Sequence, residues 1–142
     1  MGQQMISFED VDIAAKTVWG EARGEGELGM QAVANVIINR WRRTDGQFAK
    51  DDTIANTCRR RMQFSCWNPS DPNLDKISRL NFADKLYRRA FVAVLEAIDT
   101  SPDADITHGA THYHTTAILP FWAEGKSPCA TIYHHKFYND VR

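Results

Sequence analysis

The segment Trp19-Gly20-Glu21-Ala22-Arg23-Gly24-Glu25 sets one carboxylate two residues after an indole and two residues before a guanidinium, with glycines on either side. A carboxylic acid beside aromatic surface at a helix end loses part of its hydration. Its pKa then rises, so it can keep a proton near neutrality and give it to a leaving oxygen. General acid catalysis is therefore one chemistry open to Glu21. The other reading is a surface glutamate paired with Arg23, and local physics alone favours that one, because most glutamates are solvated or structural.

The elements that must position Glu21 follow from apolar spacing. Phe8, Val11, Ala15, Val18 and Ala22 recur at three- and four-residue steps and share one face of a helix. Ser7 and Asp10 offer a capping box, with aspartate in place of the usual glutamate. The glycines from Gly20 to Gly24 should end this helix. A second helix is predicted to begin near Leu28 or Gly29 and to carry Val33, Ile37 and Trp41, with Ala34 and Ile38 thickening the stripe enough to make it central. A third is predicted from about Asn81 to Ile98 on Phe82, Leu86, Ala90, Ala93 and Ala97, stopped by Ser101-Pro102-Asp103.

Residues 44–78 are rich in Asp, Asn, Arg and Pro, a long connection of the kind that tends to bind something. After Pro102, Thr111-His112-Tyr113-His114-Thr115 and Thr131-Ile132-Tyr133 are β-branched and aromatic, which suits a short antiparallel sheet. Helices first and strands last indicate an α+β domain, with no internal repeat.

With 142 residues, 43% hydrophobic and 25% charged, the chain has the size of a single domain, 1–142, with one core. A net charge of -1 gives no global basic field, so nucleic acid is not an expected partner. Arg59-Arg60-Arg61 is the local exception and reads as a solvated face. Met1 to Ile6 carry no basic stretch followed by an apolar run. Neither a signal peptide nor stable membrane insertion is expected, and the chain should be made in the cytoplasm. Cys58, Cys66 and Cys129 are odd in number and widely spaced, which fits free, buried thiols; a Cys58–Cys66 bridge stays open.

Five blocks carry a resemblance. Val18-Trp19-Gly20-Glu21-Ala22-Arg23-Gly24-Glu25 is followed by Gly29-Met30-Gln31-Ala32-Val33-Ala34-Asn35-Val36-Ile37-Ile38-Asn39-Arg40, then Gln63-Phe64-Ser65-Cys66-Trp67, Gly109-Ala110-Thr111-His112-Tyr113-His114, and His135-Lys136-Phe137-Tyr138. In this order they resemble the SleB/CwlJ-type cell-wall hydrolases, known from spore-cortex-lytic enzymes and from phage or gene-transfer-agent endolysins. The resemblance implies a lysozyme-like α+β fold, a helical core with a small C-terminal antiparallel sheet. It implies that Glu21 is the catalytic acid and that the substrate is the peptidoglycan glycan strand, cut between N-acetylmuramic acid and N-acetylglucosamine.

Members that act as lytic transglycosylases use one acid and close an anhydro ring. A hydrolytic lysozyme normally needs a carboxylate pair at a defined separation. Glu25 and Glu27 are near Glu21 in sequence, but they sit in glycine-flanked chain and no spacing rule sets either across a sugar ring from it. One acid without a cofactor, acting as a lytic transglycosylase or muramidase, is the expectation. An endolysin of this kind would work as a monomer and reach the wall after release or through a separate pore.

Sugars stack on aromatic rings and take hydrogen bonds from a few placed polar groups. Gln63, Phe64, Trp67, Tyr113, His112 and His114 are the candidate groove residues, with Trp122 as a further aromatic; for Phe64 and Trp122 core packing is as good a reading. Arg23 is expected first to hold Glu21 in place. The five histidines, His108, His112, His114, His134 and His135, leave room for a zinc-dependent amidase or peptidase, since His112 and His114 share a strand face. They lack helical or knuckle-type ligand spacing, and the spore-enzyme relatives are tyrosine-rich at the matching strand. Groove-lining His112 or His114, with His135 satisfied inside the sheet, is preferred. A non-catalytic wall-binding module is the third alternative, motivated by the aromatic and arginine-rich middle stretch.

Overall fold

The computed structural model describes residues 5–43, 52–60 and 64–141. Helix α1, Phe8–Ala22, starts on the expected capping box: the Asp10 N–H donates to Ser7 Oγ at 3.1 Å and the Ser7 N–H donates back to Asp10 Oδ2 at 3.0 Å. The other Asp10 oxygen accepts the Ala55 N–H at 3.0 Å, so the cap also ties in a later segment. Val11, Ala15, Val18 and Ala22 are buried as their spacing predicts. Phe8 is 63% exposed instead; it sits in the first turn, edge-on to Phe82 and tilted against Phe91.

Helix α2, Gly26–Arg42, begins earlier than Leu28, and every side chain from Ala32 to Ile38 is buried, which makes it the central helix. Helix α5, Lys85–Asp99, begins later than Asn81, because the Asp84 carboxylate accepts the Tyr87 N–H at 2.8 Å and caps it there. Phe82 consequently stands outside the helix and is 48% exposed. The buried face of α5 is Tyr87, Ala90, Ala93, Val94 and Ala97, packed on α1 and α2.

The stretch expected as one long connection holds two short helices, α3 at Ile54–Arg59 and α4 at Leu74–Ser78, with a 3-10 turn at Ser65–Trp67 between them. Ile54, Cys58, Phe64, Cys66 and Ile77 enter the main core with α1, α2 and α5. Composition misled here, since polar residues outnumber these few buried anchors. The three cysteines are free; Cys58 and Cys66 are buried and Cys129 is half-buried.

Strands β1, His112–Thr115, and β2, Ala130–Ile132, lie where β-branched and aromatic residues place them. Between them runs β3, His135–Tyr138, antiparallel to both, in the order β1-β3-β2. Tyr113 pairs with Phe137 and His112 with Tyr138, so the sheet has two distinct faces. Phe137 points inward with Ala32 and Val36 of α2, and Tyr138 outward against Trp122.

The approach from α5 to β1 is pinned by Asp105, a carboxylate only 6% exposed. It accepts from Asn35 Nδ2 at 2.9 Å, Asn39 Nδ2 at 2.8 Å, Thr107 N–H and Oγ1 at 2.7 Å each, and the Gly109 N–H at 3.0 Å. Burial alone would raise its pKa, but these donors favour the charged form and hold it below the usual aspartate range. A depressed folded-state pKa means that Asp105 stabilises the fold fully above the unfolded value of about 4 and loses that contribution as pH falls through the folded value. Asp105→Ala leaves several donors without a partner and should cost about 2–4 kcal/mol in urea unfolding at pH 7, with a smaller deficit at pH 3. An unchanged denaturation midpoint at pH 7 would show that the loop is held by other means.

Candidate active site

Glu21 lies in the last turn of α1, where the helix dipole and burial both disfavour a negative charge. Its pKa is raised, with burial the dominant cause. Three neighbours partly oppose that: the Tyr113 hydroxyl donates to Glu21 Oε1 at 3.0 Å, Cys66 reaches the carboxylate with its backbone N–H and its thiol, and the Arg40 guanidinium adds a favourable charge. They come from β1, from the 3-10 turn and from α2, so three separate elements converge on this side chain.

Each arrives for a local reason. Tyr113 faces inward because the pleat sends its neighbours His112 and His114 outward. Cys66 can approach because residue 20 is glycine: a Cβ there would stand 2.8 Å from Cys66 Cβ and 3.0 Å from its sulfur. Arg40 is 5% exposed and gives its Nε–H to the Thr111 carbonyl at 2.6 Å, with its guanidinium 4.7 Å from the centre of the Phe64 ring. Burial brings the Arg40 pKa down to about 10, which leaves it charged at neutral pH. The same burial raises the Cys66 thiol and the Tyr113 phenol, and the nearby Glu21 charge adds to the effect, so both stay protonated donors.

The predicted residues divide around this centre. Trp67 is half-buried and gives its Nε1–H to Thr17 Oγ1 at 2.8 Å, one turn before Glu21 on the same helix face. Gln63 lies outside the described residues. Arg23 does not hold Glu21: its guanidinium stacks 4.0 Å over Trp19 and donates to Asn73 Oδ1 at 3.2 Å, on another side of the helix. Phe64, 2% exposed, is a core residue under Arg40 and offers no face to a ligand.

His112 and His114 do not line the Glu21 side either. Both rings pack on Trp122, at 5.2 and 5.7 Å, and His114 stacks on Tyr138. Burial and the charges of Arg40 and Arg43 push the His112 pKa down to about 4, so that ring is neutral. His134 and His135 instead meet Glu25, and among the described residues no three His, Cys, Asp or Glu side chains converge as a metal site. Sequence reasoning missed Arg40 and Cys66 as neighbours of the acid. Both stand inside the quoted blocks, yet nothing in a buried arginine or a single cysteine says what it faces until the chain is folded.

A family model for cell wall hydrolases matches residues 24–138, which begins three residues after Glu21. Among solved structures the chain is similar to the catalytic domain of the Bacillus cereus SleB protein, with 27% identity, a TM-score of 0.73, and coverage of 96% of this chain and 94% of that one. It is likewise similar to the catalytic domain of the germination-specific lytic transglycosylase SleB from Bacillus anthracis, at 26% identity and a TM-score of 0.71, covering 96% of this chain and 99% of that one. No curated protein sequence matches significantly. The expected lysozyme-like α+β fold, a helical core with a small C-terminal antiparallel sheet, is the one found.

The Tyr113 hydroxyl bond favours the charged form of Glu21, so Tyr113→Phe should raise the Glu21 pKa further, by about one pH unit. A carbon-detected NMR titration of the Glu21 carboxyl reads this directly, and a fall would contradict the geometry. Gly20→Ala should displace Cys66 and cost about 1–3 kcal/mol in thermal unfolding, the usual penalty of overpacking; a variant as stable as the parent would show that the 3-10 turn can yield.

Proposed function

The chain belongs to the cell wall hydrolase family, and from that premise we propose that it is a lytic transglycosylase that cuts peptidoglycan glycan strands with Glu21 as its acid and then its base. The observation that carries the reading is the half-buried carboxylate with a pKa raised by desolvation, held by Tyr113 through one oxygen.

Protonated Glu21 gives its proton to the bridging oxygen of the muramic–glucosamine link. The C1–O4 bond breaks and the glucosamine leaves with a free 4-hydroxyl, while positive charge develops at the muramic C1 and its ring oxygen. The carboxylate then takes the proton of the muramic 6-hydroxyl as that oxygen bonds to C1. An anhydro ring closes, Glu21 is acidic again, and no water is consumed. Tyr113 and Arg40 steady the carboxylate in its charged interval, and burial restores its readiness to hold a proton.

Support for one acid rather than a pair comes from the two nearby glutamates. Glu25 is engaged by His134 and His135, and Glu27 sits in the first turn of α2 with its carboxylate 3.6 Å from Arg89. Neither is oriented by a neighbour of Glu21. Trp67 is a candidate stacking surface beside the acid, on the ground of its half-exposed ring one turn from Glu21. The finer assignment, a phage- or prophage-type endolysin, rests on the sequence resemblance to that branch of the family.

Glu21→Gln keeps the shape and removes the proton. Release of soluble fragments from purified peptidoglycan should fall by about 100-fold or more; retention of the parental rate would remove Glu21 from the chemistry. Mass spectrometry of the parent's products should show anhydro-muramic ends, whereas reducing muramic ends would mean hydrolysis. Activity needs protonated Glu21, so the rate should decline as pH rises through its elevated pKa.

A further inference from the structure

We propose that Glu25, the second glutamate of the Trp19–Glu25 segment, is a positioning residue for the acid: it docks the turn between β2 and β3 on the α1–α2 corner and so sets where the Tyr113 hydroxyl meets Glu21. This rests on the reading of Glu21 as the acid.

The corner between α1 and α2 holds the sheet at two points only four residues apart in sequence. One is Glu21, through Tyr113 of β1. The other is Glu25, whose Oε1 accepts the His134 N–H at 3.2 Å and whose Oε2 lies 3.0 Å from His134 Nδ1. His135 Nδ1 also lies 3.1 Å from Oε1, not aligned for a hydrogen bond, and burial lowers the pKa of that ring, so the contact is one between charges only when His135 is protonated. The Glu25 side chain is 13% exposed. Its room is made by Gly29, where a Cβ would fall 2.3 Å from Glu25 Cβ. Burial would raise its pKa, but the His134 hydrogen bonds and, when protonated, His135 and His134 outweigh that and lower it, so Glu25 is charged at neutral pH.

From Glu25 the path to the acid is short. His134 takes the Thr116 N–H on its carbonyl at 2.8 Å, which fixes the end of β1. His135 opens β3, pairs with Thr115, and sets its ring edge-on to Tyr113 at 5.1 Å and 82°. Tyr113 then donates to Glu21. With Glu25 removed, the sheet keeps its apolar seat of Phe137 on Ala32 and Val36 but loses the polar dock that fixes its end nearest the corner. The groups facing Glu21 are Tyr113, Cys66 and Arg40; those facing His135 are Glu25, His134 and His114.

The test reads the alkaline limb of the pH–rate profile on purified peptidoglycan for Glu25→Ala, with folding checked by circular dichroism. Loosening the Tyr113 bond raises the Glu21 pKa, so the limb should move up by about half to one pH unit and the plateau rate should fall about tenfold. Losing a nearby negative charge acts in the opposite direction and would move the limb down. In a Tyr113→Phe background Glu25→Ala should move the limb no further, because the pathway is already cut. If Glu25→Ala does not fold, Glu25→Gln is read by the same criteria.

An unmoved limb, a downward shift, or a shift that adds to that of Tyr113→Phe overturns the proposal and leaves Glu25 a purely structural residue. Glu21→Gln measured alongside separates the two readings: if it is active, the assignment of the acid falls; if it is dead while the Glu25→Ala limb stays in place, only the positioning role falls.

Discussion

Removing one carboxylate from water at the C-terminal end of α1 sets the terms for everything around it. A charge there is opposed by the helix dipole and by the apolar core beneath, and the group is tolerable only because its ionised form finds donors when it needs them. Those donors cannot come from α1 itself. Tyr113 is 92 residues further along the chain, Cys66 sits on a turn that requires a glycine opposite it, and Arg40 belongs to the next helix. The small sheet, the 3-10 turn and the central helix meet at one place because one side chain there would otherwise be a liability.

Arg40 deserves to be seen as the second constraint. A guanidinium this deeply buried is costly unless its donors are engaged, and here it spans two jobs. It carries the Thr111 carbonyl just before β1, and its positive charge lies within reach of Glu21 and Tyr113. The flat face rests on Phe64, so an aromatic ring that might have served a ligand is used to support the cation. The acid's surroundings are thus stiffened from below by packing, whereas Trp67 beside it keeps part of its ring in solvent.

Local patterns in the sequence carried the parts of this that are local. The periodicity of Val11, Ala15, Val18 and Ala22, the Ser7–Asp10 box and the glycines after Glu21 placed the acid at a helix end, where it is. What escaped were relations across distance. Asn35 and Asn39 read as polar interruptions of an apolar helix until Asp105 accepts from both. His-Lys-Phe-Tyr is too short and too polar to announce the central strand, and its identity comes from pairing on both sides. By type, His112 and His114 suit a ligand and Phe64 suits either a ligand or the core, but strand alternation sends both histidines to the far face and burial settles Phe64 as core. Residue type gave the chemistry available; only the pleat and the core decided which side received it.

The strand order has a consequence in time. β3 is the last of the three strands in the chain yet lies between the other two, so β1 has no neighbour until residues 135–138 exist. Helices α1 and α2 are joined by a three-residue corner and can meet early, while the partner that keeps Tyr113 in register is the latest to be made. Until then the Tyr113 hydroxyl has no paired strand to hold it against Glu21. Of the three groups that favour the charged carboxylate, the one from β1 is therefore the last to be fixed.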